Sequence, residues 1–310
     1  MASPNVLPPG TVVCGCVIDR VLGRGGMGTV YRAQQVSLDR VVAVKVLHSG
    51  RCRNANQLEA FRREALATGA LLHPNLVRIH QVEIDPARLL AAYSMDLVPG
   101  QSAAALVAAR GPCGRAQALD IAFQVADALG YAHRKGVVHR DVKPDNILVD
   151  AEFNVKLLDL GLAHDLFGGI SQAASVHRIS LVGTPQWSAP EQLRNPNRAV
   201  PASDVWSLGA TLHFLLTGSP PFTGETVIDL IVRIATEPLH LPMNLPADCA
   251  RLLQAMLEKD PDRRLPDGAA VVDAIGRLTD GQPLDLPEDE FEGAGGQPVV
   301  RRHRRRFRMR

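Results

Sequence analysis

The run that most limits how this chain can fold is His139-Arg140-Asp141-Val142-Lys143-Pro144-Asp145-Asn146, followed by Ile147-Leu148-Val149 and, thirteen residues after the asparagine, by Asp159-Leu160-Gly161. Short apolar stretches flank it: Val137 and Val138 before, residues 147–149 and 155–158 after. They read as strands that fix a polar loop at both ends. Asp141 is a carboxylate able to accept a proton from an attacking hydroxyl, and Lys143, two residues on, is a cation able to stabilise negative charge beside it. Asn146 and Asp159 are a pair of oxygen ligands suited to a hard cation such as Mg²⁺.

The loop has a scaffold on its N-terminal side. In residues 116–135, Leu119, Phe123, Ala126, Leu129 and Ala132 recur every three to four positions and Gly136 follows, which predicts a long helix ending just before the loop. A shorter helix is expected over 103–109. Further upstream the pattern changes to strands. Residues 12–22 read as a strand running into Gly23-Arg24-Gly25-Gly26-Met27-Gly28, with β-type residues beyond, so the glycines form a hairpin tip rather than a strand-to-helix turn. Lacking Cβ atoms, Gly23, Gly25 and Gly28 let backbone N–H groups come close to phosphates. In Val41-Val42-Ala43-Val44-Lys45-Val46-Leu47 the lysine is the only charge, and a buried ammonium needs an anionic partner. The helical stretch 55–72 offers Glu59 and Glu64. Residues 89–98 read as a last strand before the break at Pro99-Gly100.

In this order and spacing the motifs resemble those of eukaryotic-type (Hanks-type) serine/threonine protein kinases, and Gly-Arg-Gly-Gly-Met-Gly is particularly similar to the bacterial branch. The resemblance implies an α+β, two-lobed fold: a small antiparallel sheet with one main helix over residues 12–97, and a larger, mostly helical lobe over 98–280. Residues 1–11 are expected as a flexible leader and 281–310 as a disordered tail. It implies ATP and Mg²⁺ as cofactors. The nucleotide pocket would comprise Leu22, Gly23, Gly25, Gly28, Val30, Ala43, Lys45, Glu64, Met95, Asp96, Leu97 and Leu148. Glu64, nine residues before His73-Pro74-Asn75, would pair with Lys45 at the α and β phosphates. Met95 reads equally as packed core or as the residue gating the back of the pocket. Asp141, Lys143 and Asn146 would be catalytic, with Asn146 and Asp159 holding metal. Leu160 stands where the family commonly has Phe.

Residues 159–191 resemble an activation segment closing in Ala189-Pro190-Glu191, which implies protein substrates bearing Ser or Thr. Ser171, Ser175, Ser180 and Thr184 are its candidate regulatory hydroxyls, and Arg140 is the expected partner of a phosphorylated residue there. Asp204 would brace the catalytic-loop backbone, or else act as a first-turn acid of a helix capped by Ser203 and running to Leu216. Arg264 would pair with Glu191, and helices are expected over 246–257 and 267–278. A homodimer for trans-autophosphorylation is a further expectation. The competing function is a pseudokinase or scaffold that binds nucleotide without transferring phosphate.

Composition sets the remaining limits. Hydrophobic residues make up 46% of the chain but aromatics only 4%, so cores must be built mainly from Ala, Val, Leu and Ile. The five cysteines are odd in number and scattered, which fits a reducing cytoplasm rather than a disulfide framework. Cys14 and Cys16 read as strand residues facing one way. Neither a secretory leader nor a long uncharged apolar run is present, so a soluble chain without a transmembrane helix is expected. The last ten residues hold seven arginines and no acid; removing those seven from the overall +2 leaves the first 300 residues at −5. This basic tail reads as a solvated segment, or as a contact for nucleic acid or an anionic inner-membrane surface.

Overall fold

Residues 40–47 are apolar almost without a gap, as suits a strand buried on both faces. The structure, a computed structural model, describes residues 6–25, 28–47, 55–87, 90–160, 185–195 and 198–284. Its upper lobe is one antiparallel sheet of β1 (Val12–Val13), β2 (Cys16–Arg24), β3 (Gly28–Gln35), β4 (Arg40–Leu47), β5 (Ile79–Asp85) and β6 (Leu90–Asp96), in spatial order β1-β2-β3-β4-β6-β5. Helix α1 (Ala55–Gly69) covers one face. Strand alternation divides β4 accordingly. Ala43 and Leu47 pack with Leu58, Phe61 and Ala65 of α1, whereas Val42, Val44 and Val46 pack with Ile18, Tyr31 and Ala33 on the other face. Lys45 shares the α1 side with Ala43 and Leu47.

The strand expected over 12–22 is broken. Cys14 and Gly15, with φ of 53° and 64°, form a two-residue hairpin loop between β1 and β2, with Val13 opposite Cys16. Cys14 is therefore a turn residue rather than a strand neighbour of Cys16. Both thiols are fully buried, and Cys16 Sγ donates to the Cys14 carbonyl at 3.2 Å. Among the described residues Cys14, Cys16, Cys113 and Cys249 are free; Cys52 lies outside them.

The lower lobe begins with β7 (Gln101–Ser102), α2 (Ala103–Arg110) and α3 (Arg115–Arg134), continues through β8 (Ile147–Val149) and β9 (Val155–Leu157), and then runs α4 (Pro190–Arg194), α5 (Pro201–Thr217), α6 (Val227–Thr236), α7 (Ala247–Met256) and α8 (Gly268–Thr279). Strands β7, β8 and β9 form a small second sheet under the cleft. Val137 and Val138, expected as a strand, are irregular chain, because this sheet takes its third strand from β7 instead. Helix α5 is buried on nearly every side, with Trp206, Leu208, Leu212 and Leu215 inaccessible. Helices α3 and α8 meet at glycines: a Cβ on Gly268 would lie 2.4 Å from both the Ala126 carbonyl oxygen and the Gly130 nitrogen, so a larger residue would force the helices apart. Leu284, assigned to the tail by sequence, is only 6% exposed and belongs to the lower core. Its burial extends the lobe to residue 284; residues 285–310 lie outside the described residues.

The lobes are stitched behind the cleft. After α1, the Asn75 carbonyl accepts the Leu157 N–H at 2.8 Å, and the Leu157 carbonyl accepts the Val77 N–H at 3.1 Å. Asn75 Nδ2 donates to Gln124 Oε1 and to the Val155 carbonyl, at 3.0 and 2.9 Å. The base of α1 is thus tied to β9 and α3. Among the described residues no helix is long and apolar enough to cross a membrane.

Candidate active site

Strands β3, β4 and β6 lie side by side, with Val30 opposite Lys45 and Lys45 opposite Tyr93. Directly paired residues share a face, so the lysine and the tyrosine point the same way. Lys45 Nζ meets Asp159 Oδ2 at 2.5 Å, and Tyr93 Oη donates to Asp159 Oδ1 at 2.7 Å. Burial pushes the Asp159 carboxyl up. The charge and hydrogen bond of Lys45, helped by the bond from Tyr93, outweigh that and hold it below the usual carboxylate range. The anticipated Lys45 partner, Glu64, sits on α1, but its side chain lies outside the described residues.

The catalytic loop is held by a buried carboxylate from α5. Asp204, fully inaccessible, accepts the backbone N–H of His139 on Oδ2 and of Arg140 on Oδ1, both at 2.7 Å. His133 Nε2 lies 2.9 Å from Oδ2, while its Nδ1 accepts the Gly268 N–H at 3.2 Å, which places the ring hydrogen on Nε2. Arg140 and Asp159 occupy the left-handed region, with φ of 68° and 58°. That conformation is strained for residues with a Cβ; the Arg140 backbone is held in it by Asp204, and Asp159 is held through its side chain by Lys45 and Tyr93. His139 reaches across: its Nδ1 accepts the Asp141 N–H at 3.2 Å and its Nε2 bonds the Leu158 carbonyl at 2.8 Å. The histidine therefore connects the Asp141 segment to the Asp159 segment.

Around Asp141 the donors converge. Lys143 Nζ contacts both carboxylate oxygens, at 2.8 and 2.7 Å, and Asn146 Nδ2 donates to Oδ2 at 2.9 Å and to the Asp141 carbonyl at 2.8 Å. With the amide nitrogen of Asn146 directed at Asp141, its Oδ1 is the atom left for a cation. The Leu158 N–H bonds the Asn146 carbonyl at 2.8 Å, which keeps the Asn146 and Asp159 segments adjacent. A carboxylate and an amide oxygen fit Mg²⁺, which keeps several waters and takes its other ligands from phosphate. Among the described residues no cluster of three or more His, Cys, Asp or Glu forms a self-sufficient metal cage.

The cleft above this floor is apolar. Ala43 faces Met95 across the β4–β6 pair, both buried, while Val30 and Leu148 are half-buried and Leu22 and Leu97 exposed. Asp96, at the end of β6, bonds through its N–H to the Arg78 carbonyl at 3.1 Å. Gly23 pairs with Val30 near the hairpin tip, and the Gly25 N–H bonds the Gly28 carbonyl at 2.9 Å. Gly28 is sterically required, since a Cβ there would lie 2.3 Å from the Val46 carbonyl oxygen.

Glu191 and Arg264 are joined by two bonds, Nη1 to Oε1 at 2.8 Å and Nη2 to Oε2 at 3.2 Å. Arg264 also donates to the Ala202 and Glu258 carbonyls, and Ser203 Oγ donates to Glu191 at 2.7 Å. Burial raises the Glu191 carboxyl, but the hydrogen bond and charge of Arg264 outweigh it and leave it low. Ser203 is not a helix cap. The cap of α5 is Val200, because Pro201 starts the helix, and Ser203 reaches back from the third helical position to accept the Val200 N–H. Ser171, Ser175, Ser180 and Thr184 lie outside the described residues.

Three site residues escaped the sequence reading: Tyr93, His133 and Thr68. Thr68, buried on α1, donates to the Leu160 carbonyl at 3.3 Å. Tyr93 carried a usable signal, since a tyrosine in an apolar strand must find a partner for its hydroxyl and lies two positions before Met95.

Comparison with known proteins identifies the family. The model of the protein kinase domain matches residues 16–272. Serine/threonine-protein kinase PknB of Mycobacterium tuberculosis (strain ATCC 25177 / H37Ra) is 34% identical over 280 residues, covering 87% of this chain and 44% of PknB. PrkC of Bacillus subtilis (strain 168) is 37% identical over 215 residues, covering 69% of this chain and 32% of PrkC. The chain thus spans less than half the length of these relatives. The crystal structure of Rad53 1-466 in complex with AMP-PNP superposes with a TM-score of 0.68 at 28% identity, covering 83% of this chain and 63% of that one. With the two-lobed fold and the ordered loop motifs in place, the chain belongs to the protein kinase family, in its bacterial Hanks-type serine/threonine branch.

Proposed function

We propose that this chain is a protein serine/threonine kinase that transfers the γ-phosphoryl group of ATP to a Ser or Thr hydroxyl of a protein. The observation that carries the reading is the enclosure of Asp141 by Lys143 and Asn146, opposite the Lys45–Asp159 pair. Asp141 orients the substrate hydroxyl and takes its proton as the new O–P bond forms and the bond from Pγ to the β-phosphate oxygen breaks, releasing ADP. Lys143, already beside Asp141, steadies the γ-phosphoryl group. Lys45 leaves Asp159 for the α and β phosphates, while Ala43, Val30, Met95 and Leu148 enclose the base. Asn146 and Asp159 would hold Mg²⁺, which when bound would supply positive charge to the phosphate oxygens. Catalysis on this reading is mainly positioning and electrostatics.

Regulation by self-phosphorylation belongs to the same proposal. Arg140 adjoins the catalytic Asp141, and phosphate on Ser175 or Ser180, or on Ser171 or Thr184, would provide its anionic partner. A transient homodimer would let one copy phosphorylate another. The basic tail would place the kinase on an anionic surface within the cytoplasm. Label transfer from γ-labelled ATP with Mg²⁺ tests the central reading: wild type should label itself or a basic protein substrate, and Asp141→Asn should not. Equal labelling by both would overturn it.

A further inference from the structure

Behind the Lys45–Asp159 pair stands a buried phenol that neither sequence motifs nor the proposed chemistry call for. Tyr93 is 1% exposed, and its ring lies 6.3 Å from that of Phe61 on α1. It is the cross-strand partner of Lys45, and the two side chains approach one carboxylate from the same sheet face. They divide it evenly, Tyr93 taking Asp159 Oδ1 at 2.7 Å and Lys45 taking Oδ2 at 2.5 Å.

The two donors differ in what nucleotide binding does to them. Lys45 has a long, flexible stem and a charge that phosphate would attract, so Oδ2 is freed when nucleotide arrives. Tyr93 is rigid. Its ring is locked between the sheet and α1, and its hydroxyl gains nothing by leaving a carboxylate. Asp159, whose own φ is 58°, would otherwise be free to turn about its side-chain bonds once Lys45 had gone.

Resting on the reading of Asp159 as a metal ligand, we infer that Tyr93 is a positioning residue for that ligand: it fixes the carboxylate through Oδ1, so that Oδ2 is presented to Mg²⁺ when Lys45 moves to the phosphates. Partners of this kind, hydrogen-bonded to a ligand rather than to the ion, typically carry 10- to 100-fold in metal affinity.

The test is calorimetric titration of ADP into the full chain, in EDTA and in Mg²⁺, for wild type, Tyr93→Phe, Tyr93→Met and Asp159→Asn. Phe keeps the ring against Phe61, and Met fills the space without a donor. Both should leave affinity in EDTA within about twofold of wild type and reduce the enhancement by Mg²⁺ by about tenfold. Their kinase rates should show the same shift in the Mg²⁺ needed for half-maximal activity and recover at saturating Mg²⁺. Asp159→Asn should abolish the enhancement. Retention of the full enhancement in both Tyr93 variants, with its loss in Asp159→Asn, would overturn the role of Tyr93 alone. An undiminished enhancement in Asp159→Asn would overturn the metal reading and this inference with it.

Discussion

Asp204 Oδ1 holds the backbone N–H of Arg140 at 2.7 Å, and Arg140 is the catalytic-loop residue whose φ is +68°. A helix buried through the centre of the lower lobe thereby sets a strained turn one residue before Asp141. An asparagine would keep the shape but offer one acceptor oxygen where the carboxylate offers two. Asp204→Asn should lower stability by about 1–3 kcal/mol in urea denaturation, through the N–H left unsatisfied. Phosphate transfer should lose at least about tenfold in kcat with the KM for ATP little changed, since the loop and not the nucleotide pocket is disturbed.

The Glu191–Arg264 pair is buried, with Arg264 4% exposed. Removing one partner strands the other, so Arg264→Met should cost about 3–5 kcal/mol. The pair also gives an acid signature. The folded carboxyl sits below its ordinary value of 4.5, so its contribution is complete above that pH and is withdrawn as pH falls through the depressed folded-state value. Urea midpoints of wild type and Arg264→Met should therefore differ most near neutrality and converge as pH falls below 4.5 and through the depressed folded-state value.

Lys45→Met and Asp141→Asn should each remove at least about 100-fold of transfer activity while leaving a cooperative thermal transition. They separate in nucleotide binding. On the proposed roles, Asp141→Asn should retain ADP binding, since Asp141 would act on the substrate hydroxyl, whereas Lys45→Met should weaken it.

Gly28→Ala should destabilise the β3–β4 pairing at the mouth of the cleft by about 1–3 kcal/mol, because the added methyl meets the backbone of Val46 rather than a movable side chain. A lowered thermal midpoint together with weaker ADP binding is the expected result.

Much of this architecture can be read from residue order. The catalytic run, the isolated Lys45 in β4 and the periodicity of α3 are local patterns, and each corresponds to a local structure. What escaped reading depends on partners distant in sequence, or on turns and caps that composition alone does not display. Lys45 declares its need for an anion, but Asp159 lies 114 positions away. Ser203 has the composition of a cap, yet Pro201 fixes the start of α5 two residues earlier. Cys14-Gly15 looks like strand because Val and Cys flank it, and only the pairing of Val13 with Cys16 reveals the turn. Helix α6 was missed outright, although the Thr226 hydroxyl accepts the Asp229 N–H as its cap.

The Asn75 stitch bears on how the molecule can move. The upper lobe is tied to the lower by the Asn75–Leu157 bonds behind the cleft, by Lys45 and Tyr93 at Asp159, by Thr68 at Leu160, and by the segment that leaves Asp96 for Gln101. Ties gathered at the back of the cleft resist sliding of one lobe over the other more than they resist turning about that region. Opening the cleft would accordingly be a rocking motion, in which the glycine hairpin moves more than Asp159, itself one of the ties. Nucleotide would enter under a tilting roof and settle on a floor that is already set.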